Sequence, residues 1–352
     1  MKTTPWPEAA RDLSPLGARA QAPAILPVPS DTLGLRWRPL SGTDLPGIAA
    51  LFARSERFDN VAVRTTPDEA RALVEGARRD PVRNTLGGFD SDGILRAHGF
   101  VHLSDGDGPA VRVFLDGGVD PTWRRRGVGT ALFAWQTARA RQLLAGSGRP
   151  VPGRIATYVE DGIDDKATIV AASGYAPRRY YTDMRRDLSE PIPQVSLREG
   201  LVLVPWTPER DEAVRLAHNE AFCDDWGSPQ HTRESWLEGR ASFVPEWSFV
   251  VLDRSNDRSP VAGYLLSERY EQDWPILGYS EGYIDILGVR PAWRGRRVAS
   301  VLLTAAMAAY AADGIEYAGL GVDAANPTGA FGVFTALGFE PTRGSAMFCL
   351  EL

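Results

Sequence analysis

Two similar halves make up this sequence, and the duplication is the feature that most constrains its fold. The stretch VDPTWRRRGVGTAL at residues 119–132 recurs as VRPAWRGRRVASVLL at residues 289–303. Other segments match in the same order: 35–56 with 201–222, 96–104 with 260–268, and 172–177 with 336–341. The spacing stays between 164 and 170 residues. A constant spacing is typical of tandem duplication with small loop differences, so we predict two copies of one domain.

Length and proline content locate the predicted domain boundaries. A chain of 352 residues is long enough for two domains, each with its own apolar core. Residues 1–32 are rich in Pro and Ala and are predicted to be an extended N-terminal segment. Pro191 and Pro193 interrupt regular structure between the halves. We therefore predict an N-terminal domain at 33–190, a linker at 191–198 and a C-terminal domain at 199–352.

The composition limits the cellular location and the binding partners that we expect for this protein. The formal net charge of −6 gives no electrostatic footprint for nucleic acid, so no nucleic-acid partner is expected. Only Cys223 and Cys349 are present, without metal-ligand spacing, so we expect no metal site. The sequence lacks a signal peptide and a long apolar segment, which predicts a cytoplasmic protein without a membrane partner. We expect a monomer or a homodimer.

The apolar pattern predicts an α+β fold in each half. Alternating residues indicate strands at 111–119 and 282–289, and spacings of three and four residues indicate helices at 130–146 and 300–314. Gly146 and Gly314 are suited to end these helices. In each half, the arginine-rich loop therefore joins a strand to a long helix.

A loop of this kind is suited to bind phosphate. A helix start leaves backbone N–H groups without acceptors and carries the positive end of the helix dipole. Gly127 and Gly129 allow close backbone approach to an anion, and the neighbouring arginines add charge-assisted hydrogen bonds. The pattern is neither Walker A nor the Rossmann fingerprint. An exposed basic turn without a ligand is the alternative for the loop taken alone.

The order of strand, Val-x-Pro, arginine loop and long helix, with Asn326 before a helix that ends in LGFEP, resembles the GNAT superfamily of acyl-coenzyme A-dependent N-acyltransferases. The resemblance covers residues 33–352 and both halves. It implies two tandem GNAT-like domains, each a mixed, mostly antiparallel sheet flanked by helices. Two fused copies resemble mycothiol synthase and related two-domain actinobacterial acetyltransferases in architecture, in which one half does the chemistry.

The resemblance also implies which residues bind acetyl-coenzyme A. In the family the loop holds the pyrophosphate, and the preceding strand bonds the pantetheine arm. The residues at these positions of the first half are Val119, Arg124, Arg125, Arg126, Gly127, Val128, Gly129 and Thr130. Those of the second half are Leu287, Val289, Arg294, Gly295, Arg296, Arg297, Val298, Ala299, Ser300 and Asn326. Arg297 departs from the pattern, because glycine is usual there.

Direct acyl transfer needs a base that removes a proton from the acceptor amine. Alternation along the second-half strand predicts that Glu281, Tyr283, Asp285 and Leu287 share one face beside the thioester. Asp285 and Glu281 are the candidate bases, with solvated or salt-bridged surface carboxylates as the alternative. In the first half, the corresponding face carries only Val113, Leu115 and Gly117, and Asp116 points the other way. Chemistry is therefore predicted in the C-terminal half.

A general acid for the departing thiolate is missing from its family position. Phe334 occupies the place of the usual tyrosine, and Val170 occupies it in the first half. Tyr180, Tyr181 and Tyr310 remain as alternatives. The predicted function is acetyl transfer from acetyl-coenzyme A to a primary amine of a small molecule. A catalytically weak acyl-coenzyme A-binding pseudoenzyme or sensor is the alternative.

Several other polar residues allow two interpretations. Glu220, Asp224 and Asp225 follow the first helix of the second half and could receive a cationic amine, but capping of the helix end is the favoured interpretation. His98 and His102 share a strand face, where packing or surface polarity is favoured over metal binding.

Overall fold

The chain forms two compact units in a computed structural model that describes residues 14–61, 64–75, 80–104, 110–222, 230–237, 240–255, 259–324 and 329–352. The N-terminal unit consists of Met1–Tyr180 together with Ser345–Leu352, and the C-terminal unit of Tyr181–Gly344. Each unit is an α+β structure with its own apolar clusters. The duplication seen in the sequence is thus also a duplication of structure.

The described residues of the N-terminal unit form five strands and six helices before residue 176. The strands are β1 (Arg36–Arg38), β2 (Thr85–Phe89), β3 (Leu95–Leu103), β4 (Val111–Val119) and β5 (Gly153–Glu160). The helices are α1 (Leu16–Arg19), α2 (Leu45–Phe58), α3 (Pro67–Glu75), α4 (Pro81–Asn84), α5 (Val128–Gly146) and α6 (Asp164–Ala172). The strands pair in chain order, antiparallel except for β4 with β5.

The C-terminal unit repeats this order. Its strands are β7 (Leu201–Pro205), β8 (Phe249–Asp253), β9 (Val261–Arg269), β10 (Glu281–Val289) and β11 (Tyr317–Asp323). Its helices are α7 (Asp211–Ala221), α8 (Arg233–Leu237), α9 (Trp274–Leu277), α10 (Val298–Ala312) and α11 (Ala330–Ala336). These strands also pair in order, with β10 and β11 parallel and the others antiparallel.

Helices cover both faces of each sheet because the strands bury side chains on both faces. In the N-terminal unit α2 contributes Ile48 and Leu51 to one apolar cluster, and α5 contributes Leu132 to another. In the C-terminal unit α7 contributes Val214 on one side, and α10 contributes Leu302 to the larger cluster. The predicted mixed, mostly antiparallel sheet flanked by helices is confirmed in both units.

The last strand of each unit's sheet comes from the half of the sequence that was predicted to form the other domain. Strand β6 (Ala176–Asp187) pairs through residues 181–187 with β11 of the C-terminal unit. Strand β12 (Glu340–Glu351) pairs through residues 345–351 with β5 of the N-terminal unit. The boundaries between the compact units therefore lie after Tyr180 and after Gly344. The sequence predicted a single boundary, at the linker of residues 191–198. Strand pairing is the physical reason for this difference.

The parallel strands of each unit separate after a short paired segment. Strands β10 and β11 pair from Glu281 with Tyr317 to Ile284 with Leu320, and both then continue without pairing to each other. Strands β4 and β5 pair from Val111 with Gly153 to Phe114 with Ala156 and separate in the same way. We call each of these separations a fork. A fork leaves main-chain hydrogen-bonding groups of the central strand available to a ligand.

Candidate active site

The predicted loops join strand to helix as expected in both units. Residues Pro121–Trp123 and Pro291–Trp293 form one 3-10 turn each, and the long helices begin at Val128 and Val298. The residue before each helix has a left-handed backbone, with φ of 81° at Gly127 and 66° at Arg297. Arg297 thus adopts the conformation that glycine favours, and its backbone keeps the course of the family loop.

The first arginine of each loop is engaged with the protein itself. Arg124 donates through Nε to the carbonyl of Val119 at 3.1 Å, and Arg294 donates in the same way to Val289 at 3.2 Å. Arg294 also donates to the carbonyl of Ala221 at the end of α7, at 2.8 Å. These two side chains hold the loop against the preceding strand, a structural role that the resemblance did not indicate.

All three arginines of the N-terminal loop form salt bridges or hydrogen bonds within the protein. Arg124 forms a bidentate salt bridge with Asp59 at 2.5 and 2.7 Å, and Arg125 contacts Asp165 at 2.5 Å. Arg126 donates to the carbonyl of Thr122. Two of the three cations of this loop are therefore neutralised by carboxylates, which weakens its attraction for a phosphate.

The C-terminal loop keeps its positive charge. Within the described part of the chain, Arg296 and Arg297 form no salt bridge. Arg297 and Ser300 border a cavity of about 530 Å³ between the start of α10 and helix α11. Its other lining residues are Gln194, Val195, Gly329, Gly332, Val333, Ala336 and Leu337. Asn326, predicted to belong to this site, lies outside the described residues.

A β-bulge at Asp285 changes the predicted strand face. Strand β10 pairs Ile284 with Ser267 and Ile286 with Leu266 of β9, so Asp285 is an extra residue without a partner on β9. The alternation shifts after the bulge, and Leu287 pairs with Leu265 and packs in the core beside α10. The prediction that Leu287 shares a face with Glu281 is therefore wrong, because a bulge advances the side-chain pattern by one residue.

Glu281 lies on the opposite face, over a position of β11 that has no side chain. Its carboxylate covers Gly319 of β11, where an added Cβ would come within 2.6 Å of Oε1. Burial raises the pKa of Glu281 to about 7, which Arg185 opposes and Asp183 reinforces. Among the described residues, no side chain donates a hydrogen bond to this carboxylate. Glu281 is therefore a carboxylate that can accept a proton near neutral pH.

The neighbours of Glu281 on this face come from three strands. Tyr283 pairs with Gly319, and Gly319 pairs with Arg185. A Cβ built on Gly321 would lie 3.0 Å from the Tyr283 hydroxyl and 3.5 Å from Asp183. Burial raises the pKa of Asp183 and of Tyr283. We call the group Glu281, Tyr283, Asp183 and Arg185 the polar face; it borders the β10–β11 fork.

Sequence reasoning missed Asp183 and Arg185. Both belong to β6, which lies near the end of the first repeat in the sequence but pairs with β11 of the C-terminal unit. The Arg185 guanidinium lies over the rings of Tyr279 and Tyr317, at 4.4 and 4.6 Å from their centroids. The run RR at 185–186 was the only sequence signal, and it did not indicate which sheet this strand joins.

The second candidate base, Asp285, lies on the bulge at the fork. Its side chain reaches solvent, yet the surrounding protein desolvates the carboxyl group and raises its pKa, which Arg240 opposes. Asp285 also raises the pKa of Tyr264, whose hydroxyl forms a hydrogen bond of 2.6 Å with Nδ1 of His218. Among the described residues, neither Glu281 nor Asp285 forms a salt bridge.

The alternative general acids are poorly placed. Tyr310 is fully buried, and its hydroxyl is hydrogen-bonded to Ser267 at 2.7 Å. Tyr180 is assigned to the N-terminal unit. Phe334 is buried in the core beside Phe339, as a residue with a packing role would be. Among these residues and Val170, which is fully buried, none is a good proton donor to a thiolate.

The other acidic candidates have separate outcomes. Glu220 forms a salt bridge with Arg290 at 2.5 Å, so it holds the end of α7 to the loop. Asp224 and Asp225 lie outside the described residues. In the N-terminal unit Val113 and Leu115 are buried, and Asp116 lies on the other face. The prediction that Val113 and Leu115 correspond to the face of Glu281 is wrong, because the bulge in β10 shifts its register relative to β4.

In the described ranges, no group of three or more His, Cys, Asp or Glu residues is arranged to hold a metal ion. No helix in those ranges is long and apolar enough to cross a membrane.

The sequence and the fold were compared with known proteins. The Acetyltransferase (GNAT) family model matches residues 212–339. The mycothiol acetyltransferase of Salinispora arenicola is 32% identical over 255 residues, which cover 71% of this chain and 76% of that protein. The enzyme of the same name from Nocardia farcinica is 29% identical over 323 residues, which cover 88% and 95% of the two chains.

Solved structures agree in fold. A GCN5-related N-acetyltransferase from Sphaerobacter thermophilus superimposes with a TM-score of 0.66 at 25% identity, covering 90% of this chain and 95% of that one. A tandem GNAT protein from the clavulanic acid biosynthesis pathway gives a TM-score of 0.64 at 20% identity, with coverage of 90% and 98%. GNAT acetyltransferases use acetyl-coenzyme A. The chain belongs to the GNAT family and is an N-acetyltransferase with two tandem GNAT-like domains.

Proposed function

We propose that the C-terminal unit transfers an acetyl group from acetyl-coenzyme A to a primary amine on a hydrophilic small molecule. The observation that carries this proposal is the Glu281 carboxylate on the polar face, whose pKa of about 7 is suited to accept a proton at neutral pH. In the N-terminal unit, the position of β4 that matches Glu281 in the strand register is Arg112, which cannot act as a base.

Coenzyme binding is supported by the start of α10. Backbone N–H groups at a helix start attract a pyrophosphate, and Arg297 and Ser300 border the adjacent cavity. Beyond Ile284, the main chain of β10 has no pairing with β11, so Leu287 and Val289 retain groups for the pantetheine arm. In the N-terminal loop, salt bridges to Asp59 and Asp165 compete with a phosphate. We therefore assign the productive coenzyme site to the C-terminal unit.

The roles of the chain's residues in the transfer follow from their chemistry. Glu281 accepts a proton from the ammonium form of the acceptor, directly or through one water molecule, and leaves the amine lone pair free to attack the thioester carbonyl. The amine nitrogen forms a bond to the acetyl carbon and gives its second proton to water, and the carbon–sulfur bond breaks. The thiolate leaves without a positioned tyrosine donor, because Phe334 occupies that place. Water then supplies the proton to sulfur.

The polar face also supports a hydrophilic acceptor. Asp183 and Glu281 attract an ammonium group, whereas the Arg185 guanidinium and the rings of Tyr279 and Tyr317 offer hydrogen bonds and a flat surface. The named relatives are mycothiol acetyltransferases, which supports a small molecule as the acceptor. A protein substrate would require an extended peptide groove, a feature with no signal in the sequence.

The test is release of free thiol from acetyl-coenzyme A with a panel of amino sugars and other primary amines. We expect Glu281→Gln to lower kcat by roughly 100-fold or more, as for removal of a general base. Affinity for acetyl-coenzyme A, measured by calorimetry, should stay unchanged, because Glu281 does not line the cavity beside α10.

Asp285→Asn is the matched comparison on the same strand. If Glu281 is the base, Asp285→Asn should affect turnover less than Glu281→Gln does. Full turnover in both variants would refute a carboxylate base on β10, and no thiol release with any amine would favour the sensor function over acetyl transfer.

A further inference from the structure

The duplicated fold allows the same position to be compared in both units. On β3, the ring of His98 lies over Gly118 of β4, where an added Cβ would come within 2.8 Å of Cε1. On β9, the ring of Tyr264 lies over Gly288 of β10, where an added Cβ would come within 2.7 Å of the hydroxyl oxygen. His98 pairs with Gly118, and Tyr264 pairs with Gly288. His98 and Tyr264 are therefore structural equivalents.

The hydrogen bonding of these two rings is different. Tyr264 is bonded to His218 of α7. His98 is 3% exposed, and neither ring nitrogen forms a hydrogen bond to any described residue. The ring of Phe52 on α2, which offers no polar atom, lies 4.8 Å from the imidazole. A buried imidazole without hydrogen bonds is costly and calls for an explanation by function, water or ligand.

The nearest polar group to His98 is a carboxylate at the solvent surface. Nε2 of His98 lies 3.5 Å from Oδ1 of Asp116, whose side chain is 62% exposed. Asp116 follows the last pair of the β4–β5 fork, Phe114 with Ala156, by two residues. The equivalent residue of β10 is Ile286, which packs with an apolar cluster. In the C-terminal unit the carboxylate near the equivalent ring, Tyr264, belongs instead to Asp285 on the bulge.

Aromatic rings extend from Asp116 along the same face. Phe114 precedes Asp116 by two residues, and Tyr158 on β5 stacks on Phe114 at 6.3 Å with an angle of 4° between the rings. The side chain of Tyr158 is 43% exposed. An exposed carboxylate beside exposed aromatic surface is the combination that binds an organic cation. Desolvation by the surrounding protein raises the pKa of Asp116, but His98 and Lys166 of α6 lower it by more, so the net effect favours the carboxylate.

We propose that the N-terminal unit binds an organic primary ammonium ion at Asp116, with the carbon skeleton against Phe114 and Tyr158. His98 is a positioning residue in this site. The proton on its Nε2 orients the Asp116 carboxylate from the buried side of the strand. The distance of 3.5 Å between Nε2 and Oδ1 of Asp116 shortens when a ligand fixes Asp116. The site is separate from the polar face of the C-terminal unit and does not depend on where acetyl transfer occurs.

The test follows the side-chain nitrogen resonances of His98 in the full-length protein by NMR while ethylammonium chloride is added. The protein has four histidines, and the signals of His98 are identified because they are lost in His98→Gln. We expect a saturable shift of the His98 Nε2 signal. Ethanol, which has similar size but no charge, and sodium chloride at equal ionic strength should not produce it.

Two variants complete the test. Asp116→Asn should weaken ethylammonium binding roughly tenfold or more, as expected for loss of a charged hydrogen-bond acceptor. Asp164→Asn removes another exposed carboxylate of the same unit and should bind ethylammonium like the parent protein. An unchanged His98 signal in the parent protein, the same shift with sodium chloride or ethanol, or an undiminished response in Asp116→Asn would each overturn the proposal.

Discussion

At the scale of single residues, Glu281 combines a functional advantage with a cost in stability. Its pKa rises from the usual glutamate value of 4.5 to about 7 on folding. A carboxyl group with a raised pKa favours the folded state only while it is protonated, so this contribution is lost as the pH rises through 7. Base catalysis requires the ionised form, which is the form that folding disfavours.

Glu281→Gln should therefore stabilise the protein at pH 8 but not at pH 4. Above pH 7 the variant avoids burial of a charge, and we expect a gain of about 1–3 kcal/mol in the free energy of unfolding. At pH 4 both side chains are uncharged and the difference should vanish. Denaturant unfolding at the two pH values measures this, and a gain of equal size at both would show that burial of charge is not its cause.

Arg297 allows conformation and charge to be separated. Its φ of 66° favours glycine, so Arg297→Gly should stabilise the protein by about 1 kcal/mol, and Arg297→Ala should not. Both variants remove the cation beside the coenzyme cavity and should raise KM for acetyl-coenzyme A by a similar factor. Thermal unfolding and initial rates give the two quantities. A normal KM in both variants would remove Arg297 from the coenzyme site.

Residue motifs that act locally could be predicted from the sequence, and those that depend on pairing could not. The positions of the arginine loops could be predicted from the Val-x-Pro motif and the start of the helical pattern, and the loops lie at those positions. The predicted orientation of Leu287 was wrong, because the bulge at Asp285 arises from the pairing of β10 with β9. Asp183 and Arg185 were missed because only tertiary pairing brings β6 to β11.

At the scale of elements, the two units interrupt the sheet next to the fork in different ways. The C-terminal unit has the bulge at Asp285. The N-terminal unit has no bulge there; instead, Nε2 of Gln136 on α5 donates to the carbonyls of Phe100 and Asp116, at 3.1 and 2.6 Å. The equivalent residue of α10 is Ala306. A buried amide thus satisfies main-chain carbonyls that would otherwise lack donors.

Gln136→Leu should destabilise the N-terminal unit. The change keeps the volume of the side chain but leaves two carbonyl groups without donors, at a cost of about 2–4 kcal/mol. Hydrogen exchange should report faster opening of β3 and β4, with β9 and β10 unaffected. A loss below about 0.5 kcal/mol would show that these carbonyls find other donors.

At the scale of the whole molecule, each unit is completed by a segment that the repeat pattern does not assign to it. The C-terminal residues Phe348, Leu350 and Leu352 pack against the core of the N-terminal unit. Leu352 exchanges backbone hydrogen bonds of 2.9 Å with Gly153. The repeats predicted two domains in the correct order, but repeat order does not indicate which sheet receives the last strand of each half.

A chain that ends at Gly344 should lose structure in the N-terminal unit first. Strand β5 would keep β4 but lose β12 as a partner, and the core would lose three apolar side chains. Amides of residues 154–160 should therefore exchange much faster. Residues 317–323 should keep their protection, because β6 and β10 still pair with β11. Hydrogen exchange with mass spectrometry measures both segments. Equal protection in the truncated and full-length chains would contradict this assignment of β12.

The most direct test of catalysis by the C-terminal unit is the pH dependence of kcat/KM for an amine acceptor, measured from about pH 5 to 9 in the parent enzyme and in Glu281→Gln. The parent rate should rise as Glu281 loses its proton, with an apparent pKa of about 7. In Glu281→Gln this limb should disappear and the rate should fall roughly 100-fold, while the limb that belongs to the acceptor amine remains. A variant that keeps the limb near pH 7 and most of the parent rate would contradict the account.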